Sequence, residues 1–147
     1  MQVYLARPID KTSDATVKYM QLVRELADSP RLHTRSISFY APGLAFVLAG
    51  SLDHSTSHDL MLSNLDVLAH SDVLVIEYVP GIESWGVPQE ALIVSMTDVP
   101  ILVLSPVMYT ELPVCLKALV DAEHVVQNID MLAGCLDVLE LRMREET

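Results

Sequence analysis

The sequence predicts a small α/β fold with a doubly wound parallel sheet, which is a parallel sheet with helices on both faces. Short apolar runs alternate along the chain with segments of helical periodicity, the order typical of right-handed βαβ units. The runs at 73–76 and 101–104 are apolar at every position, as expected for strands buried on both faces. The 147 residues, of which 51% are apolar, suffice for one core. We therefore predict a single domain over residues 1–147 with a Rossmann-like or flavodoxin-like sheet.

The first strand and the first helix are predicted near the N-terminus. Residues 2–6 are mostly apolar and favour a strand. Residues 7–14 contain the Pro, Ser and Asp that suit a turn followed by a helix N-cap. The segment 15–27 carries apolar side chains at helical spacing, namely Val17, Met20, Val23 and Leu26.

The next predicted elements are a strand, a short helix and a longer helix. A second strand is predicted at 36–41, and the apolar stretch 44–50 favours a short buried helix. Residues 58–70 favour a helix. Its predicted inward residues are Leu62, Leu65, Leu68 and Ala69.

The second half of the chain continues the alternation of strand and helix. We predict a central strand at 72–79, a helix at 87–96 and a strand at 100–105. A helix is predicted to begin at 111 and end near 119. These segments complete the pattern of a parallel sheet with connecting helices.

The C-terminal segment 121–142 is predicted to be mostly helical, with a break near Gly134. Apolar residues form a stripe along this segment. Such a stripe packs into a core or forms a subunit interface, and both alternatives are open. Its apolar residues are Val125, Ile129, Leu132, Leu136 and Leu139.

Composition excludes some classes of partner. The net charge of −11 makes a nucleic acid polymer an unfavourable ligand, because phosphate backbones are bound by clustered Lys and Arg. The two cysteines, Cys115 and Cys135, form no CxxC motif, which favours a reduced, cytoplasmic protein. No apolar run is long enough to cross a membrane, and the N-terminus does not resemble a signal peptide. We therefore expect neither a nucleic acid nor a membrane partner.

Glu90 is the residue that most directly suggests chemistry. It follows the apolar strand 72–79 and a loop with Gly81 and Gly86, and we predict it in the first turn of the next helix. Ligands of doubly wound sheets bind beyond the carboxyl ends of the strands, and the helix dipole would keep a first-turn carboxylate ionised. An ionised carboxylate can act as a nucleophile. Glu is also common in first turns because it stabilises them, so both interpretations are open at this point.

The loops at the carboxyl ends of the strands are expected to converge. The predicted strands end at Ala6, Ala41, Val79 and Ser105. Their convergence would bring Tyr4 and Arg7 close to the loops 81–90 and 105–111. Asp66 would reach the same crevice only if its face of the helix points there.

Three segments resemble the nucleoside 2-deoxyribosyltransferase superfamily, which includes the nucleoside 5′-monophosphate N-glycosidases. Residues 4–9, Tyr-Leu-Ala-Arg-Pro-Ile, resemble its Tyr-Leu-Ala-Gly-Pro opening. Residues 64–75 resemble its helix with an acidic residue followed by a strand, and residues 86–91, Gly-Val-Pro-Gln-Glu-Ala, resemble the Gly-x-x-x-Glu segment that holds the nucleophile. The separation of 24 residues between Asp66 and Glu90 is close to that of the family, and the resemblance covers roughly residues 2–120.

The resemblance implies a covalent mechanism without a cofactor. Glu90 would attack C1′ of the sugar and form a glycosyl ester, in line with the oxocarbenium-like transition state of glycosyl transfer. Asp66 would be a second carboxylate that orients the sugar or helps to protonate the leaving base. Tyr4 would donate a hydrogen bond to Glu90. Displacement of the sugar by a second base gives transfer, and displacement by water gives hydrolysis.

Two departures from the family pattern concern the substrate. Arg7 replaces the expected Gly, and Ser84 stands where the deoxynucleoside-transferring members tend to carry Asp. A Ser there resembles the branch that hydrolyses nucleoside 5′-monophosphates, and the cations Arg7 and Lys11 would suit a phosphate. Arg7 could instead pair with an acidic side chain. Trp85 stacks on a base or caps the core. The predicted substrate-binding residues are Arg7, Pro8, Ser84, Trp85, Gly86 and Cys115.

The family also implies a homo-oligomer, because a neighbouring subunit often completes the sugar end of the site. Counting from Glu90 places that residue at Cys115, which is not the polar amide or hydroxyl expected there. A buried helix cysteine is the structural alternative. His54 and His58 are four residues apart, but no third ligand follows at a recognisable spacing, so no metal site is predicted.

The sequence thus predicts an enzyme that acts on a nucleoside or nucleotide and a free nucleobase. The preferred reaction is transfer of deoxyribose between bases, and the alternative is hydrolysis of nucleoside 5′-monophosphates. A catalytically inactive nucleotide-binding module is the rival from another class. The joint presence of Tyr4, Asp66 and Glu90 argues against that rival.

Overall fold

The fold is a five-stranded, entirely parallel sheet with helices on both faces, which confirms the predicted doubly wound α/β class. The computed structural model describes residues 1–7, 14–42, 54–82 and 86–146. The strands, in the spatial order β2-β1-β3-β4-β5, are β1 Gln2–Ala6, β2 Ser38–Tyr40, β3 Val73–Glu77, β4 Ile101–Leu104 and β5 Val125–Val126. The helices are α1 Asp14–Ala27, α2 His54–Ala69, α3 Gly86–Ser95, α4 Val114–Lys117 and α5 Ile129–Glu145, with 3-10 turns at Tyr109–Glu111 and Ala122–His124.

Two separate apolar clusters cover the two faces of the sheet. Strand side chains alternate between faces, so Tyr4, Leu74 and Ile76 pack on one side, against α2, α3 and α4. We call this side the first face. Val3, Leu5 and other alternate residues pack on the second face, against α1 and α5. The central strands are buried on both sides, which explains why β3 and β4 are apolar with hardly a polar break.

The C-terminal segment differs from the prediction of one mostly helical stretch. Val125 and Val126 form the edge strand β5, which pairs with β4 through Val103 and Leu104. Two consecutive β-branched residues fit a pleated, buried position better than a helix. The final helix begins only after Asn128, whose side chain accepts a hydrogen bond from the N–H of Met131 at 2.9 Å.

The final helix α5 runs unbroken through Gly134, so the predicted break is wrong. Of the two alternatives for its stripe, core packing is observed for Leu132 and Leu136, which are fully buried on the second face. Ile129 and Leu139 pack partly against the same cluster. Val125 is part of the sheet instead.

The buried faces of α1 and α2 also differ in detail from the predictions. The α1 residues in the core are Tyr19, Leu22 and Leu26, whereas the predicted Val17 and Met20 are 63% and 56% exposed. In α2, Leu68 is buried and Leu65 is partly buried as predicted, but Leu62 and Ala69 are exposed.

Two further segment predictions have different outcomes. The predicted helix at 111–119 is reduced to α4, which begins after Pro113. The predicted helix at 44–50 lies outside the described residues. Among the described helices, none is long and apolar enough to cross a membrane.

Candidate active site

Glu90 and Tyr4 meet at the carboxyl end of the sheet on its first face. Tyr4 is a fully buried residue of β1, and Glu90 immediately precedes the buried Ala91 on α3. The Tyr4 hydroxyl donates a hydrogen bond to Glu90 Oε1 at 2.6 Å. This is the contact that the family resemblance implies for these two residues. A short bond from a phenol to a carboxylate fixes the direction in which the carboxylate points.

Two residues that the sequence analysis did not select extend this pair. Tyr40 pairs with Tyr4 in the register of β1 and β2, and the two rings are 5.5 Å apart with an interplanar angle of 39°. The Tyr40 hydroxyl donates to Asn64 Oδ1 at 2.7 Å. Asn64 lies on α2 and is only 5% exposed. Asn64, Tyr40, Tyr4 and Glu90 therefore form a continuous row of side chains, which we call the Glu90 site.

The electrostatics of Glu90 differ from the prediction based on a helix dipole. Glu90 is the fifth residue of α3 and lies in the second turn, where the dipole has little effect. Burial raises the pKa of Glu90, and the hydrogen bond from Tyr4 partly lowers it. A desolvated carboxylate is a stronger base and nucleophile once it is ionised. The environment thus favours reactivity and opposes ionisation.

Three tyrosine hydroxyls experience the charge of Glu90. Burial and then Glu90 raise the pKa of Tyr4, and the same two causes raise the pKa of Tyr19 and of Tyr40. All three phenols are therefore protonated near neutral pH and available as hydrogen-bond donors. Tyr4 donates to Glu90, Tyr40 donates to Asn64, and Tyr19 donates to the backbone carbonyl of Arg7 at 3.0 Å.

Asp66 does not join this row. Its side chain is 77% exposed, and its carboxylate lies 3.7 Å from the ring of His70, one helical turn further on. Asp66 is two positions from Asn64, about 200° around the helix, so α2 turns Asn64 inward and Asp66 outward. The helix contributes an amide to the Glu90 site, and the predicted second carboxylate points to solvent.

Arg7 is paired with an acidic side chain, Glu77. Its side chain is only 8% exposed, and its Nε lies 3.2 Å from Glu77 Oε2. The guanidinium also lies over the ring of Tyr19, 5.6 Å from its centroid. Because strand side chains alternate between faces, Arg7 and Glu77 lie on the side of Val3 and Val75, whereas Tyr4 packs on the first face. The charge that would attract a phosphate is already balanced by Glu77.

Of the remaining predicted substrate-binding residues, only Gly86 and Cys115 are within the described part of the chain. Pro8, Lys11, Ser84 and Trp85 lie outside the described residues, and Gly86 is the first residue of α3. Cys115 is exposed on α4, so the alternative of a buried cysteine is wrong. An exposed thiol beside the sheet's first face can contact a neighbouring molecule.

One group of potential metal ligands occurs among the described residues. Asp121, Glu123 and His124 each offer one ligand atom, and these atoms lie within 4.8 Å of one another. The two carboxylates are exposed and the group lies around a surface turn. Exposed acidic groups are common without an ion, so this cluster carries no functional argument. The side chain of His54 is not described.

Helical periodicity could have identified Asn64 from the sequence. It lies four residues before Leu68, and residues four apart share one face of a helix. Asp66 is predicted instead because its residue type and its spacing to Glu90 fit the family. Tyr40 could have been found as the aromatic residue near the carboxyl end of β2. Its contact with Tyr4 depends on the strand register, which the sequence does not show directly.

Comparisons with known proteins give the fold. No protein-family model matches the sequence, and no curated protein sequence is significantly similar to it. A 2-deoxyribosyltransferase from the psychrotolerant bacterium Bacillus psychrosaccharolyticus has a similar structure, with a TM-score of 0.65, 13% identity and 91% coverage of both chains. A conserved protein from Enterococcus faecalis V583 has a TM-score of 0.60, 17% identity and 98% coverage of both chains. The predicted nucleoside 2-deoxyribosyltransferase-like fold is therefore confirmed, at low sequence identity.

Proposed function

We propose that this protein cleaves the N-glycosidic bond of 2′-deoxynucleosides and transfers the deoxyribosyl group to another nucleobase. The observation that carries the proposal is the hydrogen bond from Tyr4 to Glu90 in a partly buried position at the carboxyl end of the sheet. The structural likeness to a 2-deoxyribosyltransferase supports the substrate class. The partners are a nucleoside and a free nucleobase in the cytoplasm, and no cofactor is required.

The proposed reaction has two displacements at C1′ of the sugar. In the first, a Glu90 carboxylate oxygen forms a bond to C1′ while the bond from C1′ to the base nitrogen breaks. The electron pair of that bond stays on the base, which takes up a proton. In the second displacement, a nitrogen of the incoming base attacks C1′ and releases Glu90 as a carboxylate, while the incoming base loses its N–H proton to water. Tyr4 keeps the attacking oxygen aimed in both steps.

Helix α2 presents the amide of Asn64 to the Glu90 site instead of the carboxylate of Asp66. An amide can orient the sugar or base through hydrogen bonds, but it has no acidic proton to give to a leaving group. The proton for the departing base would then come from water or from a side chain outside the Glu90 site. This feature favours substrates whose bases are good leaving groups.

Transfer is favoured over hydrolysis of 5′-monophosphates because Arg7 is already paired. Its guanidinium contacts Glu77 and Tyr19 on the second face. A phosphate would have to compete with Glu77 for that charge. We therefore propose deoxyribosyl transfer as the reaction. Hydrolysis of nucleoside 5′-monophosphates is the alternative reaction.

Substitution of the nucleophile tests the proposal. We expect Glu90→Ala to lower the rate of base release by at least about 10³-fold while binding of the nucleoside is kept. Chromatography of deoxynucleoside mixtures measures release, and equilibrium binding measures affinity. Glu145→Gln, which removes a carboxylate from the exposed end of α5, is the control. Base release that survives in Glu90→Ala would show that the nucleophile is wrongly assigned.

The same chromatographic assay separates transfer from hydrolysis. The wild-type protein is incubated with one deoxynucleoside and a second free base, and in parallel with nucleoside 5′-monophosphates. A mixed nucleoside product supports transfer. Free base and sugar phosphate without a mixed product would reject transfer in favour of hydrolysis. Binding without any turnover would support the inactive module.

We also propose that the protein forms a homo-oligomer through α2 and α3. The inner residues Ala91 and Val94 of α3 are buried, yet Leu92, Ile93 and the adjacent Met96 are 58%, 39% and 80% exposed. A helix that is apolar all round is normally buried on every side. The adjacent α2 exposes Met61 and Leu62. A second copy of the chain would cover this apolar surface and could bring its Cys115 towards the Glu90 site.

A further inference from the structure

Glu90 is a partly buried carboxylate without a positively charged partner. Its Oε1 accepts the hydrogen bond from Tyr4, and no Lys, Arg or His side chain pairs with it within the described part of the chain. A single negative charge is unfavourable in a desolvated place. Glu90 keeps part of its surface exposed, so a ligand can reach it. A positive charge on that ligand would balance the carboxylate.

The charge of the whole chain acts in the same direction. The net charge of −11 attracts cations towards the protein and repels anions. Arg7, the cation that was predicted near the site, is neutralised by Glu77. A cationic substrate therefore gains from the long-range field and from contact with Glu90, whereas an anionic substrate gains from neither.

Tyr40 adds an aromatic surface to the Glu90 site. Its ring lies 5.5 Å from that of Tyr4 and, unlike Tyr4, is partly exposed. The negative charge of Glu90 contributes to the raised pKa of the Tyr40 phenol, so the two groups are close enough to interact. A carboxylate beside an aromatic ring is a combination that attracts a flat organic cation.

None of the described groups of the Glu90 site is suited to protonate a departing base. The phenol proton of Tyr4 is engaged with Glu90, and that of Tyr40 is engaged elsewhere. Burial raises the pKa of both phenols. The amide of Asn64 is not an acid, and Asp66 is 77% exposed to solvent. A neutral base would therefore leave as an anion or need a proton from outside these groups.

The change of charge during the attack favours a base that is already positive. When ionised Glu90 attacks C1′ of such a nucleoside, the electron pair of the C1′–N bond returns to the positive ring, and a neutral ester and a neutral base result. Two opposite charges disappear, and a partly buried site favours this because burial penalises charge. With a neutral base, the negative charge only moves from Glu90 to the base.

We propose that the Glu90 site binds nucleosides whose base carries a positive charge on its ring and leaves as a neutral molecule. N-alkylated purines and N-linked pyridines such as nicotinamide share this chemistry. The inference rests on the proposed function, because it specifies the leaving group for the attack by Glu90. In the second displacement, a nitrogen of the incoming base still attacks C1′, and its N–H proton passes to water.

Binding of free heterocycles tests the recognition of charge without any turnover. We expect the wild type to bind 1-methylnicotinamide, a cation, about tenfold more tightly than neutral nicotinamide in titration calorimetry. Glu90→Gln keeps the shape and removes the charge, so this preference should vanish. Glu145→Gln removes a charge at the exposed end of α5 and should keep the preference. A normal melting temperature of Glu90→Gln shows that the loss does not result from unfolding.

Cleavage of matched nucleosides tests the leaving group. 7-Methyl-2′-deoxyguanosine carries the positive charge, and 2′-deoxyguanosine does not. After subtraction of spontaneous hydrolysis, kcat/KM for the cationic substrate should be higher by roughly 10²–10⁴-fold, the contribution that a general acid would otherwise make. The 2′-deoxyriboside of nicotinamide is measured in parallel, and the faster of the two cationic substrates identifies the preferred class of base.

The outcomes separate this inference from the proposed function. Equal kcat/KM for 7-methyl-2′-deoxyguanosine and 2′-deoxyguanosine, or equal binding of nicotinamide and its methylated form, would overturn the cationic substrate and leave the reaction at Glu90 in place. A preference for 1-methylnicotinamide without base release from any nucleoside would overturn the proposed reaction and leave the recognition of a cation standing.

Discussion

At the scale of single residues, Glu90 is held between two opposing effects. Burial disfavours its ionised form, and the hydrogen bond from Tyr4 favours it. The proposed nucleophilic attack needs the ionised carboxylate, so the balance between the two would set the lowest pH at which the proposed reaction proceeds. Burial makes the ionised Glu90 carboxylate more reactive but raises its pKa. The hydrogen bond from Tyr4 lowers that pKa in part.

The first prediction concerns Tyr4→Phe and the pH dependence of the reaction. Without the phenol, only burial acts on Glu90, so the pKa of its carboxyl rises further. The acid limb of the pH profile of kcat/KM should therefore move to higher pH, and kcat should fall about tenfold or more because the carboxylate loses its aim. Steady-state kinetics over a range of pH measure both effects.

Tyr40→Phe is the matched control for this prediction. It removes a hydroxyl that is hydrogen-bonded to Asn64 and leaves the bond from Tyr4 to Glu90 in place. Its acid limb should move much less than that of Tyr4→Phe. An acid limb that stays at the wild-type pH in Tyr4→Phe would contradict the assigned role of Tyr4.

At the same scale, the sequence predicted the central pair of the site but not its surroundings. Glu90 is predicted from its position after a buried strand and a loop with two glycines, and the family resemblance gives Tyr4 its role beside it. Asn64 was missed because an amide has no distinctive motif, and Asp66 was preferred for its charge. Which of the two enters the site depends on the rotation of α2 about its axis. The burial of Leu68 determines that rotation.

At the scale of elements, α5 contains an internal weakness. Gly134 lies in the middle of the helix, and a Cβ atom added there would have no heavy atom within 4 Å. Glycine destabilises a helix interior because it loses more backbone freedom on folding than alanine does. The described residues give it no compensating close contact.

The second prediction is that Gly134→Ala stabilises the protein by about 0.5–1 kcal/mol. For a chain of this length, the melting temperature should rise by roughly 2–4 °C per kcal/mol. Thermal and urea denaturation measure the change, and kcat should stay unchanged because α5 packs on the second face. A lower melting temperature would mean that another molecule packs closely on Gly134 in solution.

The elements that could be predicted show either helical periodicity or an uninterrupted apolar run, and β5 shows neither. Long segments with clear periodicity, such as α1, α2 and α5, could be predicted as helices from the sequence. The two-residue strand β5 is too short to show any alternation, and it is flanked by a turn and a helix. Its strand conformation follows from pairing with β4, which is a tertiary contact that local patterns do not record.

At the scale of the whole molecule, the net charge opposes the association of two copies of the chain, and the exposed apolar surface favours it. The net charge of −11 makes two copies repel each other. The outer sides of α2 and α3 nevertheless expose large apolar side chains. Association through this surface would remove it from water, which is the main favourable contribution to the formation of protein interfaces.

The third prediction is that Leu92→Glu converts the proposed oligomer to a monomer. A charge buried at the interface would be strongly unfavourable, and loss of the neighbouring subunit should also lower activity. Light scattering after gel filtration measures the mass. Val17→Glu changes an equally exposed apolar residue, 63% exposed on α1, and should keep the oligomer intact. A wild-type protein that is already monomeric at working concentration would refute the proposed assembly.

The hydrogen bond between Tyr4 and Glu90 joins residues that are 86 positions apart in the chain. It can form only after β1 has paired with β3 and α3 has docked on the sheet, so many non-local contacts must precede it. Secondary structure will therefore return early during refolding, and the contact on which the proposed activity depends will return only with the final arrangement of the sheet. Recovery of the proposed base release after dilution from urea would thus report the completion of folding, which optical signals from the helices would report too early.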